Sequence, residues 1–127
     1  MTRTTQRPPI SEAAVQSVVT DALRTFGWRF CHFRAAQDKS GRWLTPIEGD
    51  PGFPDIIAVK DGRLLLLECK STRGIKKPAP TARGSSLERL IRWEQQEAWL
   101  DALRPMSELS QFVGPKELDD VLKVISS

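Results

Sequence analysis

Phe53-Pro54-Asp55-Ile56-Ile57-Ala58-Val59-Lys60-Asp61-Gly62-Arg63-Leu64-Leu65-Leu66-Leu67-Glu68-Cys69-Lys70 is the stretch on which the fold turns. Two apolar runs joined by Asp61-Gly62 read as a β-hairpin, with strands over 56–59 and 64–70. The four leucines predict a second strand that is wholly buried, yet that strand finishes in a carboxylate and an ammonium. Side chains alternate along a strand, so Glu68 and Lys70 share one face and Cys69 takes the other. Charge buried without a partner is costly. Asp55 opens the first strand, and hairpin neighbours on one face bring their side chains close. Two carboxylates and a lysine at one end of an apolar hairpin thus point to a site for a divalent cation and a phosphate.

Around the hairpin, Val15, Val18, Val19, Ala22, Leu23 and Phe26 recur at helical spacing and predict a helix over 10–26 with one buried stripe. Ser11 serves as its N-cap and Gly27 as its stop. The aromatic-rich 28–34 segment reads as a strand, and 35–52, with three glycines and two prolines among polar residues, as a loop or loose hairpin. A long loop follows over 71–86, then a helix over 87–103 that ends before Pro105. A short strand at 111–113 and a helix over 116–125, with Leu118, Val121, Leu122 and Ile125 inward, complete the chain. The order is αβββαβ with a C-terminal helix, a mixed α/β arrangement.

At 127 residues the chain reads as a short arm over 1–9 and one domain over 10–127. No apolar stretch approaches the ~20 residues of a membrane span, and the first residues lack the apolar core of a secretory signal. A cytoplasmic protein is expected. Cys31 and Cys69 read as two reduced core thiols, and one histidine leaves no zinc pattern. Trp28, Trp93 and Trp99 read as core. Trp43, in the polar loop, suits either stacking on a base or packing at an interface.

Net charge is only +3, but it is unevenly spread. Arg73, Lys76, Lys77, Arg83, Arg89 and Arg92 follow the Glu68-Cys69-Lys70 end directly, with Glu88 their only acid. A positive field beside a metal site favours a polyanion, and Arg73, Lys76, Lys77 and Arg83 are expected on that partner, with Arg34 and His32 as minor candidates from the first strand. Lys70 either binds the scissile phosphate or orients or deprotonates the attacking water.

Pro54-Asp55 followed by Glu68-Cys69-Lys70 resembles the PD-(D/E)xK nuclease pattern. Ser11-Glu12, Gly52-Phe53-Pro54-Asp55, Glu68-Cys69-Lys70 and Gln96-Glu97-Ala98-Trp99, in that order over 11–99, are similar to the VRR-NUC family within that superfamily. The resemblance implies a PD-(D/E)xK (restriction-endonuclease-like) core and a Mg²⁺- or Mn²⁺-dependent endonuclease acting on DNA. It implies that Glu12 and the Cys69 carbonyl join Asp55 and Glu68 at the metal, and that Gln96 reaches the site from the second long helix. Ordinary readings stand beside these: an acid favourable at a helix N-terminus for Glu12, a solvent-facing amide for Gln96. Compact members of this family resemble junction-resolving enzymes, which implies a homodimer on branched DNA such as a four-way (Holliday) junction. A general or flap-type nuclease, an RNA substrate and a DNA-binding module without catalysis are the alternatives.

Overall fold

The computed structural model describes residues 8–33, 36–37, 43–44 and 48–127. Its elements are α1 (Glu12–Thr25), β1 (Arg29–His32), β2 (Ala36–Gln37), β3 (Trp43–Leu44), β4 (Ile56–Lys60), β5 (Arg63–Cys69), α2 (Ser85–Leu103), a 3₁₀ turn (Arg104–Met106), β6 (Leu109–Val113) and α3 (Leu118–Ser126). Four strands form a mixed sheet in the order β1-β4-β5-β6, antiparallel except for the parallel β5–β6 pair. The chain is therefore α/β, as its pattern of elements predicts.

The β4–β5 turn uses only Asp61 and Gly62, with φ of 47° and 78°. Both values are positive, as a two-residue hairpin turn whose twist matches the strands requires. The tight turn fixes the register: Lys60 faces Arg63 and Ile56 faces Leu67. Leu65, Leu66 and Leu67 are fully buried, so helices must cover both faces of β5. α1 and α3 pack together on one face, where Val15, Val19, Leu23, Val121 and Ile125 meet Ile56, Ala58, Leu65 and Leu67. α2 packs against β5 and β6 and buries Leu90 and Leu100, while Trp93 lies on Phe112 with ring centroids 3.8 Å apart. The buried Ser110 hydroxyl donates to the Leu100 carbonyl at 2.7 Å, which satisfies it where water is excluded.

Several expectations need correction. Cys31 is exposed, because alternation on the edge strand β1 turns it to solvent while Phe30 packs on the core; Cys69 alone is a buried thiol. Val18 and Phe26 are 41% exposed, so the buried stripe of α1 is narrower than its apolar positions suggest. Trp28 belongs to the core, whereas Trp93 and Trp99 are half-buried in the walls of clefts. α2 starts at Ser85 and β6 at Leu109, each two residues before the predicted start, while α3 starts two residues after it. The 35–52 segment contains one short antiparallel pair, Ala36 with Leu44 and Gln37 with Trp43, as a loose hairpin would. Arg34 and residues 1–7 lie outside the described residues, as does the Trp43 side chain.

Candidate metal centre and basic cleft

The register that starts at the Asp61-Gly62 turn, continued past Ile56, sets Asp55 opposite Glu68. Ser11 caps α1, its hydroxyl accepting from the Ala14 N–H at 3.1 Å, and Glu12 follows in the first turn. Glu12, Asp55 and Glu68 each place one carboxylate oxygen within 4.8 Å of the others. Three of the residues expected at a metal are thus brought together from two strands and a helix.

Electrostatics at this point are unfavourable without a cation. Glu68 is 2% exposed. Its pKa is pushed well up, first by burial, then by a hydrogen bond to Asp55 and by the charges of Asp55 and Glu12. Glu12 is also raised, by burial and by Asp55, against the opposing pull of Lys70 and Arg92. Burial pushes the Cys69 thiol up as well, with the nearby acids adding to it, so that thiol stays protonated and inert. Every donor in the cluster is a hard oxygen. That donor set fits Mg²⁺ or Mn²⁺ and lacks the nitrogen and sulfur ligands that softer ions prefer.

Two further features prepare the site. The Cys69 N–H donates to Asp55 Oδ2 at 3.2 Å. Pro54, opposite Cys69 in the continued register, has no N–H to give the Cys69 carbonyl. The Pro-Asp pair therefore withholds a ladder partner from that carbonyl and positions a carboxylate in one step. Gln16, one turn after Glu12 on α1, donates to the same Asp55 oxygen at 3.4 Å. Sequence reasoning missed Gln16, although the i, i+4 spacing from Glu12 was available to find it.

Lys70 Nζ donates to Gln96 Oε1 at 2.6 Å and stands 5.5 Å from the Phe112 ring centroid. Gln96 is thus brought to the site, and the reason lies one turn further along α2. Trp99 donates its indole N–H to the Asp50 carbonyl at 3.1 Å and meets Phe53 edge-on, with centroids 5.1 Å apart. Gly52, at φ 99°, passes so close to α2 that a Cβ there would lie 2.7 Å from the Gln95 backbone. Gly52, Phe53 and Trp99 clasp α2 to the loop preceding β4, and the clasp holds Gln96 over Lys70. The two separate motifs are parts of one contact.

Glu12, Lys70, Lys76, Arg89, Arg92 and Trp93 line a cleft of ≈ 220 Å³ beside the acids. A larger cleft of ≈ 410 Å³, bounded by Asp50, Gln95 and Trp99, contains none of the clustered acids, which adjoin the smaller one. Of the basic residues expected on DNA, Lys76 reaches this cleft, while Arg73 and Arg83 are exposed elsewhere on the 71–84 connection. Lys77 is engaged with α2 instead, pairing with Glu97 at 3.3 Å over the Trp93 ring. Arg89 and Arg92 were not singled out as site residues. Their spacing to Gln96, at i, i+3 and i+7, was the available signal. His32 borders a separate recess with Gln16 and Thr20.

No protein family, curated protein or solved structure matches this chain. Among the described residues no helix is long and apolar enough to cross a membrane.

Proposed function

We propose that this protein is a Mg²⁺- or Mn²⁺-dependent DNA endonuclease of the PD-(D/E)xK type, resembling the VRR-NUC family, and that it acts as a homodimer on branched DNA. One observation carries the reading: three carboxylates converge within 4.8 Å of one another beside a lysine–glutamine pair, at the mouth of a basic cleft. Strand directions support the PD-(D/E)xK core, since a β1-β4-β5 meander carries Asp55 and Glu68 and α2 crosses over to a β6 parallel to β5. Asp55, Glu68 and Glu12 would hold the cation, with the Cys69 carbonyl as a further oxygen ligand. A bound divalent ion supplies charge stabilisation at phosphorus and a water of lowered pKa. Lys70 binds a non-bridging phosphate oxygen or orients the attacking water, and Gln96 fixes the ammonium through its 2.6 Å hydrogen bond. Gln16 and the Cys69 N–H hold Asp55 in one rotamer, which keeps the ligand geometry ready before the cation arrives.

The homodimer and the branched substrate follow from the resemblance alone. One domain offers one such centre, and resolving a junction takes two cuts; a two-fold assembly supplies both. The test is cleavage of labelled linear, flap, forked and four-way-junction DNAs with and without Mg²⁺, together with light scattering. Paired Mg²⁺-dependent cuts in the junction by a dimer are expected. A strict monomer cutting linear duplex equally well would leave a general endonuclease, and cleavage that survives excess chelator would remove the metal mechanism.

A further inference from the structure

Lys76, Arg89 and Arg92 form no ion pair among the described residues, whereas Lys77 beside them is paired with Glu97. Among the described residues Arg89 has only the Ser86 hydroxyl, at 3.2 Å, as a hydrogen-bond partner. All three cations line the cleft that also receives Lys70, and among the described residues Glu12 is the only acid in its wall. A concave surface of one sign focuses its field on a counter-ion. Guanidinium groups suit phosphate in particular, because their fork matches two of its oxygens.

We propose that this cleft is a second phosphate subsite, in which Lys76, Arg89 and Arg92 hold a phosphate of the DNA strand other than the one at Lys70. The proposal rests on the nuclease reading for the source of the phosphate. That phosphate is either one inside the strand or one at its 5′ end, and the recognising chemistry is the same for both. Arg92 links the subsite to the metal centre, since it acts electrostatically on Glu12. Lys70 lines the same cleft, so a strand seated on Arg89 and Arg92 lies beside it.

The test measures binding of the full chain to fluorescent DNA in Ca²⁺, over a range of salt concentrations. The DNAs carry a 5′-phosphate, a 5′-hydroxyl, or single neutral methylphosphonates inside the strand. Combined Arg89→Ser and Arg92→Ser substitution should weaken binding by at least about tenfold at low salt. It should also lower the slope of log affinity against log salt by ~0.7 to ~0.9 per lost contact. Lys76→Ser, from a different element, should act in the same direction. One neutralised phosphate should weaken the native chain and have no further effect on the double variant; its position, interior or terminal, identifies the source. An unchanged salt slope, or losses that simply add, would overturn the subsite even in a chain that cuts DNA. Conversely, non-additive losses in a chain that cuts none of the DNA panel in Mg²⁺ would keep the subsite and reject the nuclease.

Discussion

At its first residue β5 carries Arg63, and near its last it carries Glu68; the surroundings of the two charges are opposite in kind. Arg63 donates to Glu108 at 2.8 and 2.6 Å and to the Val124 and Ser127 carbonyls at 2.9 Å, and it lies 4.7 Å from the Trp28 ring centroid. Trp28 in turn donates to the Ile125 carbonyl at 2.9 Å, so this end ties the last turn of α3 to the sheet. Arg63 is raised and Glu108 lowered in pKa, each first by their mutual hydrogen bond, which marks a pair that prefers to be charged. At the other end Glu68 faces Asp55 and Glu12, and the pKa values of both glutamates move up instead. One end of the strand is complete in its own side chains. At the other end three carboxylates crowd together, Glu68 buried, Asp55 half-buried and Glu12 exposed, and the proposed cation would offset their like charge.

The largest effect expected from this contrast is on cleavage. Asp55→Asn or Glu68→Gln should lower the Mg²⁺-dependent rate by about 10³-fold or more, because the metal contributes several kcal/mol of charge stabilisation and each 1.36 kcal/mol is tenfold. Arg63→Ala should lower the melting temperature instead and leave the rate at permissive temperature close to native. Equal damage to the rate by Arg63→Ala and Glu68→Gln, measured on the same DNA, would erase the distinction between the two ends.

Stability against pH should separate the ends next. Glu12 and Glu68 bind protons more tightly in the folded chain than at the ordinary value of 4.5, so the folded state holds more protons than the unfolded one above that pH. Their contribution is present below about pH 4.5 and is lost as pH rises. Glu108 has the opposite sign: it stabilises above its ordinary value of 4.5 and loses that contribution as pH falls through its lowered pKa. In chelator, melting temperatures followed from about pH 4 to about pH 9 should therefore decline toward alkali, and Glu68→Gln should flatten that decline. Glu108→Gln should alter only the acid side. Saturating Mg²⁺ should remove the alkaline decline in the native chain and not in Glu68→Gln, since a ligand bound only by the folded state stabilises it.

How much of this was legible beforehand follows physical lines. The hairpin was legible because Asp61-Gly62 admits one turn type, and the turn fixes the register that sets Asp55 opposite Glu68. The apolar run Leu64 to Leu67 predicted burial on both faces correctly for Leu65, Leu66 and Leu67, while Leu64 next to the turn is half-buried. Cys31 was misjudged because residue type says nothing of whether a strand is central or at an edge. Gln16 was not singled out, and Arg89 and Arg92 were counted in the basic block without being placed at the cleft, because which face of a helix meets the site is set by tertiary packing. The clasp of Gly52 and Phe53 on Trp99 joins positions far apart in the chain. No local pattern announces that Gly52 is needed for closeness to Gln95 rather than for a turn.

The smallest expected effect sharpens the account of the acidic end. Gln16→Leu removes one long hydrogen bond to Asp55, worth about 1 kcal/mol, or roughly fivefold in rate. Because Gln16 positions a ligand and touches no reacting atom, the loss should shrink as Mg²⁺ is raised. A deficit independent of Mg²⁺ concentration would assign Gln16 a different role.

The central claim, that Glu12, Asp55 and Glu68 form a cation site, is tested most directly by titrating Mn²⁺ into the full chain and following free Mn²⁺ by electron paramagnetic resonance. Saturable binding to the native chain is expected, competed by Mg²⁺, lost in Glu68→Gln and in Asp55→Asn, and unchanged in Glu108→Gln. Binding of equal strength in the native chain and in both site variants would contradict the account.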